Sequence, residues 1–134
     1  IEIEDFRDDF VQLHLSAWSY TGGAHGNGAT TSCLIDKTTS KVIKLEDLFL
    51  DIGAVTKIGE DYFRKLYELE SDVDLDDAGF WFENNTFQLN NNFSISEHSI
   101  VFLYNSYEIA PYSAGETAIE IPIEEINNYL KIKI

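Results

Sequence analysis

A chain of 134 residues with 44% hydrophobic and 13% aromatic content carries enough apolar side chain to bury one core, which argues against disorder and for a single domain. Its formal net charge of −15, from 24 acidic and nine basic residues, argues against nucleic acid and anionic lipid as partners. No apolar run reaches the roughly 18–20 residues that a membrane span requires, so no membrane insertion is expected within these residues, and the single cysteine, Cys33, provides neither a disulfide framework nor a cysteine-based zinc site.

Residues 1–9 are charged and loosely patterned and read as the lead-in to a domain or the remnant of a linker; the domain proper is expected over residues 10–134. The chain starts at Ile1 and contains no methionine, which points to a trimmed start. From Phe10 to Tyr20 the residues alternate, with Val11, Leu13, Leu15 and Ala17 on a greasy face and Gln12, His14, Ser16 and Trp18 on a mixed one, the signature of a β-strand.

The next stretch, Tyr20-Thr21-Gly22-Gly23-Ala24-His25-Gly26-Asn27-Gly28, places four of the eight glycines within seven positions. Glycine tolerates positive φ and close approach to the backbone. Two readings stand side by side: a glycine-rich hairpin turn, or a binding loop in which backbone N–H groups and His25 face a partner.

Ala29–Asp36 reads as a second strand, followed by a polar turn over residues 37–41 and a short return strand at Val42–Leu45. Glu46–Phe49 begins a helical turn, and Asp51 is placed to cap the next helix. That helix is predicted over residues 54–69, where Val55, Ile58, Tyr62, Leu66 and Leu69 form one apolar stripe widened by Phe63 and Tyr67.

An acidic run follows. Asp72, Asp74 and Asp76 have the spacing of the opening of a calcium loop, but the glycine expected at the sixth position is missing, where Asp77 stands, so a solvated loop is the stronger expectation. Phe80-Trp81-Phe82 is expected to bury against the sheet. Strand fragments at 87–89 and 93–95 flank Asn90-Asn91-Asn92, and Ile100–Asn105 is expected as an apolar strand covered on both faces. Thr117–Ile123 alternates again with Pro122 at its end, and Glu124–Leu130 forms a short closing helix. The expected fold class is α+β: a mainly antiparallel sheet with one long amphipathic helix on a face and a short C-terminal helix.

From Leu66 to Leu130 there is no lysine or arginine but there are thirteen acidic residues, so the charge is strongly asymmetric. Such a surface suits a cationic protein or a divalent metal, and equally suits plain solvation.

A second glycine-bearing segment, Tyr107-Glu108-Ile109-Ala110-Pro111-Tyr112-Ser113-Ala114-Gly115, follows the apolar strand. Together with Tyr20-Thr21-Gly22-Gly23-Ala24-His25-Gly26 and with Ile121-Pro122, it resembles the domain of unknown function 3298 family, found at the C-terminus of the anti-sigma factor RsiV and beside the catalytic domain of the peptidoglycan deacetylase PdaC. The resemblance runs from about Phe10 to Leu130. Ile123 departs from it, standing where the family frequently has tyrosine.

The resemblance implies an extracytoplasmic α+β domain of the bacterial cell envelope, in the periplasm or at the cell surface, in a protein that often carries a further upstream domain or an N-terminal anchor of lipoprotein type. It further implies a role in recognition, of lysozyme in the RsiV case. The motif residues carried over as binding candidates are Tyr20, Thr21, Gly22, Gly23, His25, Gly26, Asn27, Tyr107, Glu108, Pro111, Tyr112 and Gly115.

No nucleophile elbow, zinc-binding His-Glu-x-x-His pair, phosphate loop or Cys/His dyad is present, so no catalytic residue and no cofactor are expected. His25 is expected to hydrogen-bond to the segment that carries Tyr107 to Tyr112, and Glu108 to cap a loop. Three functions are carried forward: a binding module for a cationic protein or a cell-wall component, a structural accessory domain of a larger envelope protein, and a cell-wall hydrolase using His25 and Glu108.

Overall fold

Strands β1 (Glu2–Phe6), β2 (Phe10–Ser19), β3 (Asn27–Asp36) and β4 (Val42–Ile43) form an antiparallel sheet in sequence order. Helix α1 (Leu45–Leu48) and the long α2 (Ile52–Leu66) follow. Then β5 (Phe93–Ile95), β6 (Ser99–Tyr104) and β7 (Thr117–Pro122) form a second, three-stranded antiparallel sheet, and α3 (Ile123–Ile126) closes the fold with a 3₁₀ turn at Asn127–Tyr129. The computed structural model describes residues 1–134. The α+β class holds, with the strands divided between two sheets.

The segment expected as a lead-in supplies β1, paired with β2 from Glu2 opposite His14 to Phe6 opposite Phe10. The alternation in β2 is present with its faces reversed. Phe10 and Gln12 are buried, and so are Ser32 and Leu34 across the hairpin, while Leu15 and Ala17 of the greasy row are exposed. The reason lies in the second sheet. The Gln12 amide donates from Nε2 to the Ile95 carbonyl at 3.2 Å and accepts the Ile95 N–H on Oε1 at 2.6 Å, so a polar side chain completes the free edge of β5. A strand edge buried without such partners would carry unsatisfied backbone groups.

Asparagines do the same for β3 beyond the reach of the two-residue β4. Asn105 accepts the Thr30 N–H at 2.8 Å and donates to the Thr30 carbonyl at 2.9 Å; Asn92 accepts the Ser32 N–H at 2.7 Å and donates to the same carbonyl at 2.8 Å. Asn91 accepts the Leu45 N–H at 2.9 Å. Primary amides thus imitate peptide units and join the two sheets.

Asp51 caps α2 as expected, accepting the Ala54 N–H at 3.0 Å. The helix ends at Leu66 rather than at residue 69, and its buried line is Val55, Gly59 and Phe63, with Leu66 exposed. Gly59 sets this line, because a Cβ there would stand 2.8 Å from Leu89 Cδ2; without one, the 87–89 segment packs against the helix. That segment is not a strand. The Phe63 ring meets Phe80, Phe82 and Phe87 at centroid distances of 4.8, 5.5 and 5.3 Å, while Trp81 between them stays exposed.

Two tyrosines fasten the layers. Buried Tyr104 donates to the Gln88 carbonyl at 2.6 Å, and burial pushes its phenol above the ordinary range. Tyr62 of α2 donates to Glu125 of α3 at 2.5 Å, a bond that pushes its phenol up to about 12. The buried hydrophobic residues form one contiguous core of 23, drawn from both sheets and all three helices.

Candidate functional site

The ten-residue strands β2 and β3 are longer than the body that covers them. From Leu15 through Ala24 every residue is exposed, so the distal half of the hairpin projects as an arm ending in the glycine-rich stretch. Gly22 and Gly23 at its tip have φ of +100° and +105°, conformations that L side chains rarely adopt, and the Tyr20 hydroxyl donates to the Gly23 carbonyl at 3.0 Å. Thr21 is exposed on the same turn, and Asn27 opens β3 opposite Ser19.

The second motif leaves β6 through a turn in which Tyr107 sits at φ +71°. Glu108 stabilises this turn, accepting the Asn105 N–H at 3.2 Å and the Asn90 Nδ2 hydrogen at 2.8 Å. Pro111 opens a 3₁₀ turn, Tyr112–Ala114, its carbonyl accepting the Ala114 N–H, and Gly115 ends it at φ +70°.

The two motifs belong to different sheets and nevertheless meet. The His25 imidazole lies flat on the Tyr112 ring, with centroids 3.7 Å apart and planes 4° apart, and Tyr107 stands 5.3 Å from Tyr112 and 6.5 Å from His25. Tyr112 also donates to the Gly26 carbonyl at 3.3 Å. The expected hydrogen bond from His25 to the second motif is absent: its Nδ1 pairs at 3.0 Å with Gly26 O of its own loop, and stacking makes the bridge instead. Beside this cluster, the Trp18 ring lies over Gly26, where an added Cβ would come within 2.3 Å of it.

The surface of this junction is aromatic. Trp18, Tyr20 and Tyr107 are 72%, 58% and 48% exposed, and His25 is exposed. Such rings supply contact area with little side-chain freedom to lose. No hydrogen bond joins Glu108 to His25; the carboxylate is engaged by Asn105 and Asn90, so the two side chains suggested for acid–base work do not form a pair.

The three aspartates with calcium-like spacing are not brought together as ligands. Asp74 accepts the Asp77 N–H at 3.0 Å and the Asn85 Nδ2 hydrogen at 2.7 Å, bonds that hold its carboxyl below the ordinary range, and no group of three or more His, Cys, Asp or Glu side chains is arranged for a metal. No helix is long and apolar enough to cross a membrane.

Sequence reasoning missed Gln12, Asn92 and Asn105, which join the two sheets beneath the arm, and Trp18, the most exposed ring of the site. The Asn90-Asn91-Asn92 run was the available signal, since three consecutive amides bounding a strand offer far more hydrogen bonding than a simple turn consumes.

The fold and site define a two-sheet α+β domain whose projecting hairpin is clasped by an aromatic loop from the second sheet. The chain belongs to the DUF3298 family, described as "Protein of unknown function (DUF3298)", which matches residues 46–124. The crystal structure of a DUF3298 family member from Bacteroides fragilis NCTC 9343 is similar over 98% of this chain and 52% of that chain, with 27% identity and a TM-score of 0.79. The crystal structure of a DUF3298 family protein from Pseudomonas aeruginosa PAO1 has the same fold over 97% of this chain and 59% of that chain, with 24% identity and a TM-score of 0.69. The chain thus spans little more than half the length of these structures. No curated protein matches it.

Proposed function

We propose that this is an extracytoplasmic recognition domain of a bacterial cell-envelope protein, which binds a cationic protein of lysozyme type or a cell-wall glycan at the junction of arm and loop. The observation that carries the reading is the stack of His25 on Tyr112. It holds two remote glycine-bearing segments in one place while leaving Tyr20, Tyr107 and Trp18 exposed, an arrangement that a purely structural contact does not need. The resemblance to the RsiV C-terminal domain supports the envelope setting and the class of partner, and the acidic stretch from Leu66 to Leu130 supports a basic protein.

The test is binding of a basic lysozyme and of soluble peptidoglycan fragments to the domain at low and high salt, with Tyr107→Ala and Trp18→Ala as variants. Binding of the basic protein that weakens with salt and is lost in both variants supports the reading. Binding untouched by either variant overturns the site, and hydrolysis of the fragments that His25→Ala abolishes overturns recognition in favour of an enzyme.

A further inference from the structure

The second sheet ends in an unpaired edge whose hydrogen-bonding groups follow from the register. The Leu103 N–H donates to the Asn92 carbonyl at 2.9 Å and the Ser96 N–H to the Ser99 carbonyl at 2.8 Å, so Ser99, Val101 and Leu103 of β6 direct their peptide groups at β5. Ile100, Phe102 and Tyr104 therefore direct theirs at β7, where they face Ile121, Ile119 and Thr117. The Ile123 N–H, donating to the His98 carbonyl at 2.9 Å, continues the same phase. Ala118 and Glu120 are left with both N–H and C=O turned outward, and Pro122, which has no N–H, with its carbonyl. β7 has no strand on that side, and no turn or loop supplies these groups with a partner. Gln12, by contrast, serves Ile95 at the edge of β5, and Asn92 and Asn105 serve β3.

We infer that the outer edge of β7 receives an extended, basic segment of a partner protein, which adds antiparallel to the sheet as a further strand. Strand addition takes its affinity from main-chain hydrogen bonds and its specificity from alternate side chains. Residues of the added strand opposite Ala118 and Glu120 share the face of the Glu120 carboxylate, which the Ser99 hydroxyl holds in place by donating to Oε1 at 2.7 Å. Glu116 and Glu124 stand before and after it in the chain, and no lysine or arginine occurs from Leu66 to Leu130, so this face calls for cations.

The residue opposite Ile119 turns to the other face, towards α2. There Tyr62 and exposed Leu66 border, with Ala118 and Ile119, a groove of about 340 Å³. Lys65 lies on the same groove and repels a cation, which leaves it to an apolar side chain. The segment that fits alternates basic and apolar residues. A second copy of the chain does not meet this condition, because pairing two β7 edges would bring the glutamates of both together, and like charges across strands are destabilising. Neither Trp18, Tyr20, His25 nor Tyr107 borders the groove, so the inference does not rest on recognition at the arm.

The probe is a short peptide of alternating lysine and valine with blocked ends, titrated into the protein at low and high salt while amide shifts and amide exchange are followed by NMR. A second peptide has the same sequence with its lysine nitrogens in the main chain methylated, which keeps charge and side chains but cannot pair; a third replaces lysine by glutamate. The expected result is that the first peptide alone binds, shifting the Ala118 and Glu120 amides and slowing their exchange. Ala118→Pro removes one outward N–H and leaves the ladder to β6 intact, so it should weaken binding about tenfold, equivalent to ~1.4 kcal/mol. Glu120→Gln keeps an acceptor for Ser99 and loses the charge, and should weaken binding about threefold at low salt and less at high salt. Trp18→Ala and Tyr107→Ala should leave it unchanged.

Five results would overturn the inference: no shift at Ala118 and Glu120, equal binding of the methylated peptide, equal binding of the glutamate peptide, loss of binding in Trp18→Ala or Tyr107→Ala, or Ala118 and Glu120 amides already protected from exchange before any peptide is added. The fourth would place the peptide at the arm, and the last would mean that the protein covers this edge itself. The methylated peptide decides between pairing and charge attraction on the wild-type protein, whether or not Ala118→Pro folds.

Discussion

Tyr112 holds His25 in two separable ways, through a parallel ring contact at 3.7 Å and through its hydroxyl, which donates to the carbonyl of the next residue, Gly26, at 3.3 Å. Tyr112→Phe keeps the first and removes the second, while Tyr112→Ala removes both. The hydroxyl bond is long and part-buried, so its loss should change stability by less than about 1 kcal/mol. Losing the ring should cost about 1 kcal/mol beyond the buried area. The larger effect is positional: in Tyr112→Ala the arm loses its clasp, amide exchange should rise across residues 20–28 but not in β6, and partner binding should fall. Exchange mass spectrometry on the two variants checks this, and equal protection of the arm in both would mean that the stack does not hold it.

Gly26 is the position where the arm tolerates no side chain in its present arrangement. An added Cβ would stand 2.3 Å from Trp18 Cζ2 and 2.6 Å from Cε2. Those atoms belong to a side chain that is 72% exposed and free to move outward, so Gly26→Ala should displace the indole rather than unfold the domain, at about 1 kcal/mol or less. In a Trp81→Phe background, which leaves Trp18 as the sole tryptophan, its emission should shift while the urea midpoint barely moves. An unchanged spectrum would show that the ring does not rest on Gly26.

The sequence exposed the elements well and their orientation poorly. Strand alternation from Phe10 and the cap at Asp51 depend on neighbours in the chain, so both are readable from local pattern. Which face of β2 turns inward depends on the remote edge of β5, and the run of greasy residues pointed the wrong way because Gln12 is buried to serve Ile95. The helix stripe packs on the core apart from exposed Leu66, but it left out Gly59 for a related reason: a hydrophobic count gives glycine no weight, yet its missing side chain admits Leu89. The two site motifs could be recognised singly, but their meeting through His25 and Tyr112 is a tertiary fact with no periodicity to announce it.

The Gln12 amide makes a specific energetic claim. Gln12→Met keeps the approximate volume but leaves the Ile95 N–H and carbonyl without their partners in a buried setting. With unsatisfied buried groups costing ~1–3 kcal/mol each, the two together should cost the variant about 2–6 kcal/mol. Asn105→Ala, at a part-buried site with the Thr30 N–H and carbonyl within reach of water, should lose less. Urea unfolding of both variants decides the matter. A loss in Gln12→Met no greater than that in Asn105→Ala would show that water reaches the β5 edge as readily as the β3 edge.

Asp74 provides a prediction in pH. Its carboxyl is held below the ordinary 3.8, first by the Asp77 N–H and then by Asn85. A group whose folded value is depressed stabilises the fold above its unfolded value, and this contribution is lost as pH falls through the folded value. The 74–77 turn should therefore be indifferent to pH between 7 and 5 and should loosen only in stronger acid, below 3.8. The Asp77 amide chemical shift should report the transition, with a midpoint below that of a free aspartate, and Asp74→Asn should erase it. A midpoint at or above the ordinary value would mean that the Asp77 and Asn85 hydrogen bonds do not stabilise the charged carboxylate in solution.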